Sequence, residues 1–427
     1  MSAAVPQFQS EFLKTWVSRG QYYDCTNPAG LDQRMREGRV AGYIGFDCTA
    51  PSLHVGSLVQ IMTLRRLQQA GHRPIVLMGG GTTKVGDPSG KEESRQLLTR
   101  AQIEANKRSI LKNFEPFLSF GDASPGAIMV DNAEWLDRLE YIPFLRDVGR
   151  HFSVNRMLTM DSVKMRLERE QPLTFLEFNY MVLQAYDFLE LYRRYGCVLQ
   201  CGGSDQWGNI VSGIDLARRI DNAELFGLTG PLITTSSGAK MGKTAAGAVW
   251  LSPEMCSPYQ YWQYWRNTED DDVGRFLRLF TDLPEEEVHR LESLQGNELN
   301  EAKKVLATEA TALCHGRGSA DEAAETARRT FETGELDTNL PTVEIARDKL
   351  VAGILVANLA QLAGLTASTG EARRLIQSGG VRLNDEVVTD QKASASLSDV
   401  TAQGVLKISV GRKKHALIKP HPPLEGG

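Results

Sequence analysis

The sequence predicts an α/β fold in which a doubly wound parallel sheet is followed by an α-helical domain and a small α+β domain. Short apolar runs alternate with helical patterns over the first 250 residues, as is typical of such a sheet. Residues 257–331 carry only charge-rich helical patterns, and residues 371–388 combine a basic helix with an alternating strand. We therefore expect domains at 1–250, 251–335 and 343–427.

The first domain contains strand candidates, each a short apolar run beside a turn signal, at 42–46, 74–79, 127–130, 197–201 and 231–233. Helical patterns separate them, at 54–71, 92–118, 174–194 and 205–221. Sheets of this kind bind ligands beyond the carboxyl ends of their strands, near the point where the strand order reverses. Polar residues that directly follow a strand candidate are therefore the first candidates for a site.

The two later domains are recognised by different signals. Turn signals near Asp282 and Gly316 divide the middle domain into the helices of a small bundle. The last domain is predicted to begin with a helix over 343–362 and to turn between two strands at Asn384-Asp385.

Composition limits the classes of function. A net charge of −5 does not mark a nucleic-acid-binding protein, but residues 343–427 carry 11 Lys and Arg against 8 Asp and Glu. Any RNA contact is therefore local to that segment. The six cysteines show no zinc-binding spacing, so we expect reduced thiols and no structural metal. Without a secretory profile or a long apolar run, the chain is expected to be cytoplasmic, with no membrane partner.

Two segments far apart in the chain point to phosphate. HVGS at 54–57 follows a strand candidate and opens a helical pattern, so free N–H groups and the positive end of the helix dipole would face a ligand. KMGKT at 240–244 places two lysines around a glycine in a loop that suits folding over a charged ligand. Together they indicate a nucleoside triphosphate site.

Two polar clusters follow other strand candidates. Asp87 lies in GGGTTKVGDPSGK at 79–91, which could cradle a phosphate through backbone N–H groups or simply turn the chain. A carboxylate in that loop suits a cation such as an ammonium group. Asp205 and Gln206 in GGSDQWGN could contact a ligand or form an ordinary N-cap.

A third cluster lies within a helical pattern. Tyr180, Gln184 and Asp187 recur at i, i+4 and i+7, so they share one helix face with apolar leucines. Polar groups on such a face are costly to bury without partners. They therefore either contact a ligand or form a buried network.

These segments together resemble the bacterial tyrosyl-tRNA synthetases, a family of class I aminoacyl-tRNA synthetases. HVGS is similar to the HIGH motif of that class and KMGKT to its KMSKS motif. The resemblance extends to YIGFDCTAPSLHVGS, GDPSGKEESR, HFSVNRM and GGSDQWGN, and to a C-terminal module similar to an RNA-binding fold of a ribosomal small-subunit protein. It implies a Rossmann-like catalytic domain, a helical anticodon-recognition domain and a small RNA-binding domain.

The resemblance implies activation of L-tyrosine by ATP and transfer of the tyrosyl group to the 3′-terminal adenosine of tRNA(Tyr). The tyrosine carboxylate would attack the α-phosphate, so this step rests on positioning and charge stabilisation and requires no base. Mg²⁺ would accompany the pyrophosphate. The catalytic residues we expect are His54, Ser57, Lys240, Lys243, Lys91 and Arg95. The nucleotide-binding residues implied are Asp47, Thr49, Gly56, Gly203, Asp205 and Lys243.

The same resemblance implies how the amino acid is bound. Relatives hold the phenol hydroxyl between a tyrosine and an aspartate, which match Tyr43 and Asp187. The positions that match contacts to the ammonium and carboxyl groups are Asp87, Tyr180, Gln184 and Gln206. Tyrosyl-tRNA synthetases are the standard example of a site that rejects phenylalanine because its polar groups would be left unpaired.

Two positions depart from the motifs of the family, and the resemblance also implies macromolecular partners. Ser57 stands where the HIGH motif ends in histidine and cannot carry a positive charge, and Gly242 replaces a serine of KMSKS, which favours mobility. Arg373, Arg374 and Lys413 are expected to contact tRNA phosphates, although such basic residues are often a solvated face. The resemblance also implies a homodimer.

Two alternatives remain at this stage. A tryptophan-specific synthetase is disfavoured because Tyr43 and Asp187 suit a phenol better than an indole. A non-catalytic RNA-binding protein with this fold is suggested only by Ser57. The presence of all the other implied site residues argues against it.

Overall fold

The computed structural model of the chain describes residues 6–87, 98–122, 125–238, 241–244, 247–329, 340–401, 404–411 and 414–421. It forms two compact units, Met1–Ser237 with Gly274–Val288 and Gly238–Val273 with His289–Gly427. Four of the expected site residues, and the side chain of a fifth, lie outside the described residues: Lys91, Arg95, Lys240, Lys413 and the side chain of Lys243.

The described helices are α1 Glu11–Ser18, α2 Pro28–Glu37, α3 Leu58–Gln69, α4 Arg100–Leu111, α5 Ala133–Leu136, α6 Tyr141–Asp147, α7 Val154–Leu158, α8 Asp161–Glu168, α9 Phe175–Phe178, α10 Tyr180–Tyr195, α11 Trp207–Asp221, α12 Pro258–Arg266, α13 Val273–Phe280, α14 Glu285–Glu292, α15 Leu299–His315, α16 Arg317–Arg328, α17 Arg347–Val351, α18 Val356–Leu362 and α19 Thr369–Gln377. The described strands are β1 Asp24–Cys25, β2 Ala41–Phe46, β3 Arg73–Met78, β4 Ile128–Asp131, β5 Cys197–Gly203, β6 Phe226–Gly230, β7 Lys243–Thr244, β8 Gly247–Ala248, β9 Thr342–Ala346, β10 Ile354–Leu355, β11 Val381–Leu383, β12 Glu386–Val388, β13 Ser394–Ala395, β14 Leu406–Val410 and β15 Lys414–His421.

The first unit is built around a six-stranded sheet in the order β1-β6-β5-β2-β3-β4. All neighbouring pairs are parallel except β1 and β6. Because β2 pairs with both β3 and β5, the strand order reverses between β2 and β5. The sheet is therefore doubly wound, as expected, and its switch point lies beside the carboxyl end of β2.

The strand predictions were confirmed for β2, β3, β4 and β5, and the fifth was wrong. Residues 231–233 form no strand, and β6 comes immediately before them at Phe226–Gly230. Pro231 lacks the N–H that a central strand needs for its ladder, whereas β6 is buried between its neighbours. The sequence also gave no signal for β1, because two residues are too short for a periodic pattern.

Helices α3, α10 and α11 of the first unit pack against the strands of the sheet. A single 3₁₀ turn, Val55–Ser57, leads into α3, whose apolar side buries Leu58, Ile61 and Leu64. Helix α10 ends at Gly196, which adopts a left-handed backbone with φ +61. It packs on α11, where a Cβ at Gly213 would lie 3.1 Å from Phe188, so the close approach requires a small residue.

The second unit contains α12, α15 and α16 of the predicted helical domain and a further sheet, whereas Gly274–Val288, with most of α13 and the first turn of α14, belongs to the first unit. Helices α12, α15 and α16 pack together as a bundle. A five-stranded sheet in the order β12-β11-β14-β15-β9 follows, and α18 and α19 pack on each other beside a shared apolar core. Asn384 and Asp385 adopt φ +47 and +69 between β11 and β12, which confirms the predicted turn.

The predicted helix over 343–362 was wrong. That segment forms β9, α17, β10 and α18. Strand β9 is rich in β-branched residues and pairs with β15, and Gly353 interrupts the helical pattern with φ +80. Long-range strand pairing therefore overrides the local helical pattern.

Two further observations concern the chain as a whole. None of the helices in the described ranges is both long and apolar enough to cross a membrane. All six cysteines are free thiols, and all but Cys256 are buried. Burial raises the pKa of each of these thiols, as expected for cysteines with a packing role.

Candidate active site

The site lies at the carboxyl ends of the central strands of the first unit. Asp47 directly follows β2, Asp87 follows the 3₁₀ turn after β3, and Asp205 and Gln206 follow β5. Helix α10 contributes Tyr180, Gln184 and Asp187 from one face. Hydrogen bonds and electrostatic contacts join these residues into two groups around the switch point: Tyr43, Asp47, Tyr180 and Asp187 in one, and Asp87, Gln184, Asp205 and Gln206 in the other.

A buried carboxylate forms the deepest part of the site. Asp187 is 2% exposed, and each of its oxygens accepts one hydrogen bond. Trp135 Nε1 donates to Oδ1 at 2.7 Å, and Asn132 Nδ2 donates to Oδ2 at 2.9 Å. Burial raises the pKa of Asp187 to about 8, because the two donated hydrogen bonds do not offset the lost hydration and the negative charges of Asp47 and Asp131 raise the pKa further.

Tyr43 completes this group, which we call the buried carboxylate cluster (Tyr43, Asn132, Trp135, Asp187). Its ring is 1% exposed and packs edge-on against Phe188 with centroids 5.2 Å apart. Burial and the neighbouring Asp187 raise the pKa of the Tyr43 hydroxyl, and that hydroxyl has no hydrogen-bond partner in the described part of the chain. An unpartnered buried hydroxyl beside a carboxylate is suited to a ligand hydroxyl that can bond to both.

Asn132 links the cluster to the glycine run that follows β3. Its Oδ1 accepts from the N–H of Gly81 at 2.8 Å, and its Nδ2 also donates to Thr82 Oγ1 at 3.1 Å. The N–H of Gly80 donates to Asp131 Oδ1 at 3.1 Å. These amides are bonded to the protein's own side chains, so this part of the loop does not form the phosphate cradle that its glycines suggested.

The glycines have a packing role. A Cβ at Gly79 would lie 2.4 Å from Asp47 Oδ1 and 2.6 Å from Thr82 Oγ1. Without it, Thr82 donates to Asp47 at 2.9 Å, and the Tyr180 hydroxyl reaches the same carboxylate at 3.4 Å. The loop's glycines therefore allow Asp47, at the end of β2, to be fixed from two sides.

The other end of the site is a set of hydrogen-bonded side chains, three carboxamides and one carboxylate. We call it the amide network (Asp87, Gln184, Gln206, Asn209). Asn209 Nδ2 donates to Gln184 Oε1 at 2.9 Å and to Gln206 Oε1 at 3.2 Å. Gln206 Nε2 lies 3.3 Å from Asp87 Oδ2. Gln206 occupies the N-cap position of α11, but its side chain makes no capping bond to that helix.

Asp205 places a second carboxylate next to the amide network. It lies 3.3 Å from Gln206 Nε2, and its pKa is raised by burial and by the negative charge of Asp87. Two carboxylates converging on one amide create a negative potential that favours a cationic ligand group. Gly203 precedes it, and a Cβ there would lie 2.5 Å from Asp205 Oδ1.

The HVGS segment forms the turn that begins α3. His54 Nδ1 accepts the N–H of Gly56 at 3.0 Å, so in the neutral ring the proton resides on Nε2, which can donate to a ligand. Ser57 stands at the start of α3, and its hydroxyl makes no capping bond to that helix. Thr49, in the loop between β2 and this turn, is exposed.

The remaining expected residues that the structure describes, at least in their backbone, lie in the second unit. Lys243 belongs to the short hairpin of β7 and β8, of which only the backbone is described at that position. Arg373 and Arg374 are exposed neighbours on α19. The side chains of Arg373 and Arg374 are available to a phosphate backbone.

Sequence reasoning missed four polar residues of the site: Thr82, Asn132, Trp135 and Asn209. Asn132 and Trp135 follow the carboxyl end of β4, as the predicted residues follow the other strands, but their side chains carry no charge that would suggest chemistry. Gln200 was also missed. It is the register neighbour of Tyr43 on β5, it is buried, and its Oε1 has no hydrogen-bond partner among the described atoms.

Comparisons with known sequences agree over nearly the whole chain. The family model for tRNA synthetases class I (W and Y) matches residues 35–332, and that for the S4 domain matches residues 360–400. The tyrosine–tRNA ligase of Bradyrhizobium diazoefficiens is 62% identical over 413 residues, covering 97% of this chain and 99% of that protein. That of Caulobacter sp. (strain K31) is 61% identical over 420 residues, covering 98% and 100%.

Solved structures give the same result for the fold. A C-terminally truncated mitochondrial tyrosyl-tRNA synthetase of Aspergillus nidulans has a TM-score of 0.68 at 31% identity, over 76% of this chain and 95% of that one. A tryptophanyl-tRNA synthetase of Encephalitozoon cuniculi has a TM-score of 0.52 at 13% identity, over 74% and 91%. The second similarity is one of fold alone.

Proposed function

We propose how the described residues divide the chemistry of one reaction, from the premise that the chain belongs to the class I tRNA synthetases, and among these to the bacterial tyrosyl-tRNA synthetases. It activates L-tyrosine with ATP and transfers the tyrosyl group to the 3′-terminal adenosine of tRNA(Tyr). Because tyrosine-specific relatives match nearly the full length, the tryptophan-specific and the non-catalytic alternatives are set aside.

The buried carboxylate cluster recognises the phenol hydroxyl of the substrate tyrosine. A phenol hydroxyl placed between Tyr43 and Asp187 would donate to the carboxylate and accept from the Tyr43 hydroxyl. The observation that carries this assignment is the unpartnered Tyr43 hydroxyl beside a carboxylate already fixed by Asn132 and Trp135. Phenylalanine would leave both groups unpaired, which is costly in a site closed to water.

The amide network and its carboxylates hold the amino-acid backbone of the substrate. Asp87 supplies negative charge to the ammonium group, assisted by Tyr180 and Gln184, and Gln206 contacts the carboxyl group. Orienting that carboxylate toward the α-phosphate is the main task in the first step, since the nucleophile is already an anion. The bonds around Gln206, at 3.2 to 3.3 Å, support exchange of its present partners for substrate groups.

Nucleotide binding falls to the two phosphate-handling segments and to the loop that follows β2. His54 would donate from Nε2, with the backbone of Gly56 and the hydroxyl of Ser57 beside it. Lys91, Arg95, Lys240 and Lys243 would supply the positive charge that the transition state requires. The ribose and base would meet the remaining residues, Asp47, Thr49, Gly203 and Asp205.

The test is amino-acid-dependent exchange of labelled pyrophosphate into ATP, with tyrosine, phenylalanine and tryptophan in parallel. For Asp187→Ala we expect kcat/KM for tyrosine to fall about 10³-fold, or ~4 kcal/mol, because deleting the acceptor leaves the phenol hydroxyl and the buried donors of Asn132 and Trp135 unpaired at ~1–3 kcal/mol each. The control is Glu190→Ala, a buried carboxylate of the same helix that is paired with Arg193 and Arg194. Equal kcat/KM in wild type and Asp187→Ala would contradict the phenol-reading role.

We propose that Mg²⁺ enters the site bound to ATP. In the described parts of the chain, no group of three or more His, Cys, Asp and Glu side chains is placed to hold a metal. Mg²⁺ retains several waters and is bound largely through substrate phosphates, so it requires few ligands from the protein. Exchange that persists unchanged after complete chelation of divalent ions would contradict this.

We also propose a homodimer. The segment from 141 to 176 exposes large apolar side chains, among them Tyr141, Ile142, Val154 and Phe175, each at least 58% exposed. An apolar surface of this kind is typical of a protein–protein contact. Light scattering should give twice the chain mass of 47.2 kDa, and a monomer at micromolar concentration would contradict the proposal.

The C-terminal domain is proposed to bind tRNA through Arg373, Arg374 and Lys413. Phosphate contacts of this kind weaken with added salt, so replacing Arg373 and Arg374 should reduce the slope of log affinity against log salt concentration. An unchanged slope would show that Arg373 and Arg374 do not contact the tRNA phosphates.

We place the protein in the cytoplasm, where its substrates are found and its free thiols stay reduced. Cell fractionation tests this location.

A further inference from the structure

We propose that Asn113, which follows helix α4, is a positioning residue for His54 and acts through the backbone of Leu53. The inference rests on the proposed role of His54 in binding ATP. It adds a residue from outside the HVGS segment, 60 positions later in the chain than Leu53 and in the same unit.

Asn113 bonds to the two residues that directly precede His54. Its Oδ1 accepts the N–H of Leu53 at 2.8 Å and the hydroxyl of Ser52 at 3.2 Å. The Ser52 hydroxyl also donates to the carbonyl of Leu53 at 2.7 Å. All three side chains are buried, so water competes little for these bonds. The backbone that leads into His54 is therefore held by a side chain from another element.

The start of the same loop, residues 47–53, is held as well. The N–H of Cys48 donates to Thr83 Oγ1 at 2.8 Å, and the carbonyl of Cys48 accepts from Asn106 Nδ2 at 2.9 Å. Between the two attached ends, Thr49 and Pro51 are exposed. Asn106 lies on α4, so this helix and the turn after it contact both ends of the loop.

Asn113 is itself fixed relative to the sheet. Its N–H donates to the carbonyl of Ile110 at 2.9 Å, in the turn that ends α4. The next residue, Phe114, is completely buried and packs edge-on against Phe46 with ring centroids 4.9 Å apart. Phe46 is the last residue of β2, the strand from which the loop starts. The acceptor oxygen of Asn113 thus has a defined position beside the loop.

The consequence for the reaction is pre-organisation of His54. Its backbone is fixed at Leu53, and its Nδ1 accepts the N–H of Gly56 on the other side. A ring held in this way loses less conformational entropy when it engages a phosphate group. Removal of the Asn113 acceptor should therefore weaken the reaction with ATP. It should leave the affinity for tyrosine unchanged, because tyrosine does not contact His54.

The test is Asn113→Leu, which retains the shape of the side chain and deletes its polar atoms. In pyrophosphate exchange we expect kcat/KM for ATP to fall about 3- to 10-fold, the range of one net hydrogen bond, with the KM for tyrosine unchanged.

The control is Gln68→Met, at the opposite end of α3 from HVGS. The Gln68 amide makes three hydrogen bonds to the backbone of Ser119 and Pro125. Its loss should lower the temperature of thermal unfolding without changing kcat/KM for ATP. Equal losses of kcat/KM in the two variants would mean that general loosening of α3, and not the bond to Leu53, explains the result.

Ser52→Ala is a milder variant of the same contact. It deletes the hydroxyl that donates to Asn113 Oδ1 and leaves the bond from Leu53 in place. We expect kcat/KM for ATP to fall about 2- to 3-fold, the lower end of the same range. If Asn113→Leu does not fold, an unchanged kcat/KM for ATP in Ser52→Ala overturns the positioning role.

His54→Ala and the double variant Asn113→Leu/His54→Ala separate the inference from the proposed function. If Asn113 acts through His54, its effect on ATP should shrink toward one-fold when the imidazole is absent. Full exchange activity in His54→Ala would contradict the role of that histidine and therefore the proposed function. Reduced activity in His54→Ala with an unchanged kcat/KM for ATP in Asn113→Leu would overturn the positioning role alone, as would an undiminished effect of Asn113→Leu in the double variant.

Discussion

The two ends of the proposed tyrosine site are built differently. The buried carboxylate cluster fixes Asp187 with bonds of 2.7 and 2.9 Å from two side chains that face no solvent. In the amide network, Gln206 is surrounded by partners at 3.2 to 3.3 Å, and both Gln184 and Gln206 are partly exposed. In the buried carboxylate cluster, only the Tyr43 hydroxyl lacks a partner among the described atoms. In the amide network, the polar groups bond to one another and would exchange these bonds for bonds to the substrate.

We propose that this difference separates specificity from catalysis. A rigid, dry pocket discriminates strongly, because any group left unpaired there loses the full cost of its desolvation. A half-exposed set of amides can exchange bonds at little cost, which suits the end of the substrate that must move toward the α-phosphate. In this proposal the buried carboxylate cluster selects the side chain of the substrate. The amide network allows the amino and carboxyl groups of the substrate to adjust their position for the reaction.

The largest effect should come from weakening the rigid end. Trp135→Phe removes the indole N–H that donates to Asp187 Oδ1, and a hydrogen bond to a charged group contributes ~2 kcal/mol. We therefore expect kcat/KM for tyrosine to fall about 30-fold, with the KM for ATP unchanged, in pyrophosphate exchange.

A matched substitution separates this bond from simple loss of volume. Trp16→Phe shortens another buried indole in the same unit, and the Nε1 of Trp16 has no hydrogen-bond partner among the described atoms. It should lower thermal stability without a specific loss of tyrosine affinity. Similar kcat/KM losses in the two variants would mean that packing, and not the bond to Asp187, explains the result.

A smaller effect is expected at the amide network. Asn209→Ala deletes the Nδ2 that bonds to both Gln184 and Gln206. Because those amides can bond to substrate or water, we expect only a 3- to 5-fold rise in the KM for tyrosine, equivalent to less than ~1 kcal/mol. Ser212→Ala, on the same helix, removes only a local bond to the carbonyl of Gly208 and is the control. A loss as large as that of Trp135→Phe would show that both ends are equally rigid.

The sequence predicted one of these ends better than the other. Tyr180, Gln184 and Asp187 were found because helical spacing places them on one face, and Asp87, Asp205 and Gln206 because they follow strands. Asn132 and Trp135 follow β4 in the same way, but an asparagine and a tryptophan carry no charge that suggests chemistry. Their function depends on α5 and α10 meeting in space, which a single sequence does not encode locally.

The glycine run after β3 shows a related limit. Its composition is compatible with both a phosphate cradle and a tight turn. The distinction depends on which groups its amides meet, and here they meet Asp131 and Asn132, from a strand about 50 residues later in the chain. For the same reason the helix predicted over 343–362 was wrong, since pairing of β9 with β15 decides that segment.

The smallest expected effect is a proton released when tyrosine binds. The pKa of Asp187 is raised to about 8 by burial, so at pH 7 most molecules of the free protein carry a neutral carboxyl there. A phenol hydroxyl donating to Asp187 favours the ionised form and lowers that pKa. Binding at pH 7 should therefore release most of one proton, and binding at pH 9, above the pKa of the free protein, should release none from this group.

Calorimetry in two buffers with different ionisation enthalpies measures this release directly, since the apparent binding enthalpy then depends on the buffer. The dependence should be present for tyrosine at pH 7 and absent for ATP, which does not contact Asp187. Tyrosine affinity should also rise from pH 6 to pH 8, because less free energy is spent on deprotonating Asp187 as the pH approaches its pKa. A binding enthalpy independent of buffer at pH 7 would mean that Asp187 keeps the same protonation state on binding, and would contradict the predicted proton release.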